Sequence, residues 1–154
     1  MKRDAMTRAR LLEGRGAFTW VTMLLLLLLV AGGYLAWVWG PIYLVHFEAK
    51  QVVRDYGNQS IKNPNDEVLV QGMTHKIRSL DTTTVEGADG RPVRVPSIDL
   101  QPQDVTWKRE GNELHVAFEY VRQVTYPFLE RTVEKTFQVD MTMDITRPDW
   151  GPAR

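Results

Sequence analysis

Between Arg15 and Glu48 the chain carries no Asp, Glu, Lys or Arg. Within that interval, residues 17–39 read AFTWVTMLLLLLLVAGGYLAWVW. As a helix these 23 residues extend roughly 34 Å, enough to cross a bilayer core. Leu24–Leu29 is an unbroken leucine run, so no polar face survives. A helix lying along a protein surface would keep one. A backbone surrounded by hydrocarbon must satisfy its own hydrogen bonds, which a helix does. The stretch is therefore read as a transmembrane helix over residues 17–39.

Its flanks set anchoring and orientation. Trp20 stands near one end, and Tyr34, Trp37 and Trp39 stand towards the other. Amphipathic rings favour the two headgroup levels, and Arg15 adds a charge just outside the apolar run. Arg15, Trp20, Tyr34, Trp37 and Trp39 are the expected interface anchors. Of 19 basic and 19 acidic residues, the first 15 positions hold five and two. The excess of positive charge predicts a cytoplasmic tail at 1–16 and an extracytoplasmic remainder. A cleaved secretory signal is the rival reading, because Ala31-Gly32-Gly33 offers small residues for cutting. Apolar residues continue past that point to Trp39, which favours a retained anchor. A buried core helix is the other alternative, and such helices rarely run this long without a polar face.

The remaining chain is of one-domain size. It is slightly acidic and shows no basic patch, which argues against a nucleic-acid partner. The sequence has no cysteine, which removes thiol chemistry, thiolate metal sites and disulfide staples. An exported domain of this kind relies on its core alone.

Gly40-Pro41 is expected to interrupt or bend the helix, since proline removes a donor and crowds the preceding turn. A new helix is then expected over Ile42–Tyr56, with Val45, Ala49, Val52, Val53 and Tyr56 on one stripe. Lys50, Arg54 and Asp55 fall away from that stripe, and Gly57-Asn58 suits a stop. A second helix is expected to start at Asn63-Pro64, with Asn63 as cap and Asp66 and Glu67 at the positive end of the dipole. Leu69, Met73, Ile77 and Leu80 recur at helical spacing, although Gly72 lowers helix propensity by about 1 kcal/mol against alanine.

After Leu80 the period becomes two. Thr82–Glu86 and Pro92–Pro96 flank Gly87-Ala88-Asp89-Gly90, a hairpin turn. Asp104–Arg109 alternates through Val105 and Trp107. Glu113–Val124 puts Leu114, Val116, Phe118 and Tyr120 on one face. Tyr126-Pro127-Phe128 breaks the pattern, and Thr132–Ile145 resumes it with Phe137, Val139, Met141, Met143 and Ile145 aligned. The predicted fold is α+β: one N-terminal transmembrane helix, then at 40–146 a small domain of two helices packed on an antiparallel β-meander. Residues 147–154 are expected to form a loose tail.

Three stretches resemble a family of uncharacterised bacterial single-pass membrane proteins whose N-termini are similar to type IV pilins. They are Gly16-Ala17-Phe18-Thr19, Pro41-Ile42-Tyr43 with Phe47-Glu48-Ala49-Lys50, and Phe118-Glu119-Tyr120-Val121-Arg122 with Phe137. The resemblance implies the inner membrane of a bacterium, with the C-terminal domain periplasmic. It brings no activity with it. Pilins carry a glutamate at the fifth mature position, where this chain has Thr22 or Val21, depending on where counting begins. The acid that registers neighbouring pilin subunits is missing.

No catalytic, cofactor-binding or metal site is expected. His46, His75 and His115 lie far apart in sequence, without the tight pairing of a zinc site. Asp140 and Asp144 flank Thr142 on a strand's polar face, which reads as a solvated surface. Trp107, Phe118, Tyr120, Tyr126, Phe128 and Phe137 read as core, and Arg122 and Arg131 as solvated cations. The expected function is a non-enzymatic interaction or assembly domain tethered in the cell envelope. Its partners are the lipid bilayer and either another protein or a second copy of the chain. The alternative is a pilin-like or secretion-apparatus subunit.

Overall fold

A computed structural model describes residues 19–148. The basic tail with Arg15, and residues 149–154 of the C-terminal tail, lie outside the described residues. The chain divides into two compact units after Trp37.

Helix α1 runs over Trp20–Ser60, 41 residues with Pro41 inside it. The expected interruption at Gly40-Pro41 does not occur, and the helix is continuous through Pro41. Proline forfeits one main-chain hydrogen bond, but the many that remain propagate the helix at a favourable increment per residue. Beyond Pro41, Ile42, Ala49, Val52 and Val53 are buried, and tertiary packing of this face holds the helix that proline weakens. The part of α1 before Val38 is long and apolar enough to cross a membrane, and its leucines are exposed.

In the second unit, α2 covers Asp66–Ser79. It starts two residues after the expected position. Asn65, not Asn63, is the cap, accepting from the Val68 N–H at 3.3 Å. Asn63 instead accepts from the Asn65 N–H at 3.0 Å, turning the chain into the helix. Asp66 and Glu67 sit at the positive end and Lys76 and Arg78 at the negative end.

Strands β1 (Thr82–Glu86) and β2 (Pro92–Pro96) form the expected hairpin, with Thr82 opposite Pro96 and Glu86 opposite Pro92. Gly90 supplies the positive φ that its turn requires. A 3-10 turn at Pro102–Asp104 leads to β3 (Thr106–Glu110), β4 (Glu113–Tyr126) and β5 (Arg131–Asp144). These three form an antiparallel sheet in that order. β3 covers only Glu113–Ala117 of β4, whereas β5 pairs along all of it.

One face of this sheet meets the helices. Leu114, Val116, Phe118, Tyr120 and Val124 of β4 are buried, as are Phe137, Val139 and Met143 of β5. They form one core with Val53 of α1 and Met73 and Ile77 of α2. Ile98 and Leu100 are also fully buried, although they belong to no regular element. The segment Ser97–Gln101 is held by the Ser97 N–H donating to the Asp81 carbonyl, and by Asp104 accepting from the Gln101 N–H, both at 3.0 Å.

Candidate membrane interface and polar sites

Among the expected anchors, Trp20 is 76% exposed and Trp37 62% exposed. Tyr34 is half-buried, with its ring 6.4 Å from that of Trp37. Arg15 lies outside the described residues. From Trp20 to Leu29 every side chain is exposed, leaving an apolar rod without a protein cover. Exposed apolar area on this scale is unfavourable in water by about 25 cal/mol per Å², and a lipid environment relieves it.

Trp39 behaves differently. Its indole Nε1 donates to the Tyr126 hydroxyl at 3.1 Å, and the two rings meet edge-on at 6.4 Å. Tyr43 lies 6.0 Å from Trp39 and stands edge-on to Phe137 at 5.7 Å. The sheet thus holds the residue at which the apolar run ends.

Further along α1, His46 Nδ1 lies 3.0 Å from the Tyr120 hydroxyl, with its ring 4.9 Å from Phe137. Burial, then the ammonium of Lys50, lowers the His46 pKa from its ordinary 6.5. Burial also pushes the Tyr120 phenol from 10.0 up to about 12, opposed in part by the Arg122 cation. His46 is half-buried. It is drawn in because it follows Ile42 by one helical turn and precedes Ala49 by another, between two core positions.

The three histidines are not brought together. His75 is exposed on α2, and His115 Nε2 meets Asp140 Oδ1 at 2.9 Å on the outer sheet face. Among the described residues no group of three His, Cys, Asp or Glu side chains could hold a metal ion. Asp140 and Asp144 take separate partners. The Thr146 hydroxyl and N–H both donate to Asp144 Oδ1, at 2.6 and 2.8 Å, and hold that carboxyl below its ordinary pKa.

Two arginines contradict the surface reading. Arg54 is 4% exposed although it lies off the predicted stripe, because Gly57 and Ser60 bury a second flank of α1. Arg122 is 8% exposed and donates to Asp81 at 2.5 Å, while Arg131 is exposed as expected. Arg109, which sequence reasoning passed over, binds both carboxylate oxygens of Asp66 and two main-chain carbonyls. Strand parity was the available signal for Arg122, which follows Tyr120 by two and precedes Val124 by two. Phe128 departs in the other direction. Expected in the core, it is 81% exposed at the β4–β5 turn, beside Leu129 at 68%.

A groove lies between the β1–β2 hairpin and the uncovered part of β4, lined by Val85, Val95, Glu119, Val121, Arg122 and Thr136. Its buried cation is committed to Asp81. Compared with models of protein families, with curated proteins and with solved structures, the chain matches none.

Proposed function

We propose that the protein is a single-pass membrane-anchored component of a bacterial cell envelope. Its N-terminus is cytoplasmic, and its α+β domain works outside the cytoplasm as a non-enzymatic interaction or assembly module. The observation that carries this reading is the bare apolar stretch of α1, whose side chains from Trp20 to Leu29 are all exposed. The surplus of cations before residue 16 supports the orientation. The polar outer face of β4 and β5 supports a binding role, as it is a solvated surface presented on a rigid sheet.

Alkaline carbonate treatment of vesicles holding the full chain tests the anchor. Retention in the pellet is expected, and release into the wash overturns the reading. Protease added outside spheroplasts tests the side. Digestion of the C-terminal domain is expected, and its complete protection overturns the orientation.

A pilin-like subunit is a second reading, favoured by Gly16-Ala17-Phe18-Thr19 at the entry to the apolar run. N-terminal sequencing of the mature protein decides it. A start near Ala17 or Phe18 supports processing, and a start at Met1 removes it.

A further inference from the structure

The β4–β5 hairpin descends along α1 towards the residue where the apolar run ends. Three contacts mark the descent. A Cβ at Gly57 would meet the Met143 side chain and lie 3.8 Å from Leu114. Eleven residues earlier on the helix, His46 meets Tyr120. Seven residues earlier again, Trp39 meets Tyr126. As the helix position falls from 57 to 39, the β4 position rises from 114 to 126, so the strand runs antiparallel to the helix. The turn Pro127–Glu130 lies beyond the last of these contacts.

That turn is unusually apolar for a loop tip. Phe128 is 81% exposed and Leu129 68% exposed. The Leu129 N–H closes the turn on the Tyr126 carbonyl at 3.1 Å, and Glu130 adopts φ 47°, a left-handed conformation that favours glycine. Two adjacent large apolar side chains on a strained tip gain nothing from water. Arg131, the first residue of β5, is an exposed cation at the same end.

We propose that Phe128 and Leu129 insert into the headgroup layer of the bilayer that holds α1, with Arg131 facing lipid phosphate. This rests on the anchor reading above. Trp39 is the last residue of the 23-residue apolar run, and its indole is bonded to Tyr126, so Tyr126 stands at the level of the interface. β4 ends at Tyr126 and the next four residues close the hairpin onto Arg131, so Phe128 and Leu129 occupy the tip immediately past Tyr126. Interfacial apolar groups penetrate to a depth of about 5–10 Å.

The absence of cysteine permits a direct test. Full-length Leu27→Cys, Phe128→Cys and Asn112→Cys are each labelled with an environment-sensitive dye. They are then reconstituted in phosphatidylethanolamine–phosphatidylglycerol vesicles carrying spin-labelled lipid. Leu27 reports the anchor, and Asn112 reports the turn at the opposite end of β4. The expected result is strong quenching at Leu27 by deep spin labels, at least a halving at Phe128 by shallow ones, and none at Asn112. Quenching at Leu27 with Phe128 as water-exposed as Asn112 overturns tip insertion and leaves the anchor standing. Equal quenching at Phe128 and Asn112 also overturns it, since the domain would then lie on the surface without a preferred end. An unquenched Leu27 overturns the anchor and the tip proposal together.

Discussion

Arg109 of β3 clasps Asp66, the first residue of α2, through both carboxylate oxygens: Nε at 2.8 and 3.0 Å and Nη2 at 2.6 Å. The same guanidinium donates to the carbonyls of Ser60 at 3.1 Å and Asn63 at 3.0 Å. One side chain therefore closes the end of α1, the connection and the start of α2. Only a planar fork of donors serves four acceptors at once. Arg109→Ala is expected to cost about 2–3 kcal/mol, since bonds to charged groups are each worth about 1.5–3 and the pair is partly exposed. Arg109→Lys should restore little of it. Urea unfolding of the full chain in detergent, followed by the tryptophan signal, measures both.

Asp81, just after α2, receives Arg122 of β4, so the two ends of this helix are each fixed to the sheet by an arginine. Arg122 is the more buried cation, with a side chain 10% exposed. Removing it alone leaves a carboxylate one-third exposed to water, and Arg122→Ala is expected to cost about 1.5–3 kcal/mol. Replacing both residues together, as Arg122→Met with Asp81→Leu, should recover most of that loss, because the uncompensated charge is gone. A double-mutant cycle in the same unfolding assay separates these outcomes.

Gly72 in the middle of α2 is explained by Tyr56. A Cβ at position 72 would lie 2.9 Å from Tyr56 Cε1 and 3.1 Å from its hydroxyl oxygen. Gly72→Ala should fail to deliver the gain of about 1 kcal/mol that helix propensity promises, because the ring must move. In a Tyr56→Ala background the same substitution should deliver it. Equal effects in both backgrounds would show that the ring does not set the requirement.

His46 and Tyr120 give the domain a window of pH stability. His46 is held below its ordinary 6.5, so the unfolded chain binds the proton more readily. Its contribution is complete above pH 6.5 and is lost as the pH falls through the lowered value in the fold. Tyr120 is raised to about 12, so its contribution is complete below pH 10 and is lost as the pH climbs towards 12. Thermal unfolding across pH should show both flanks. His46→Gln should flatten the acid flank, and Tyr120→Phe the alkaline one.

The core and the strands were legible because alternation and helical spacing directly record which side chains leave water. The β1–β2 hairpin falls at its predicted bounds, and β4 and β5 carry the predicted faces. Ile98 and Leu100 were missed, since a segment without regular structure has no period to read. The course of α1 through Pro41 was missed because the local penalty of proline was weighed without the packing around it. Trp20 and Trp37, expected as anchors, stand exposed on the apolar helix, but no sequence rule indicated that Trp39 would be bonded to Tyr126, 87 positions away.

The sequence by itself determined the α+β class, the apolar rod and the alternating sheet faces, because each follows from the affinity of neighbouring side chains for water. Only the tertiary structure decided which arginines are buried, why Gly72 is required and where the β4–β5 tip lies. Those depend on partners distant in the chain, and a charge or an aromatic ring is placed by what it meets in space.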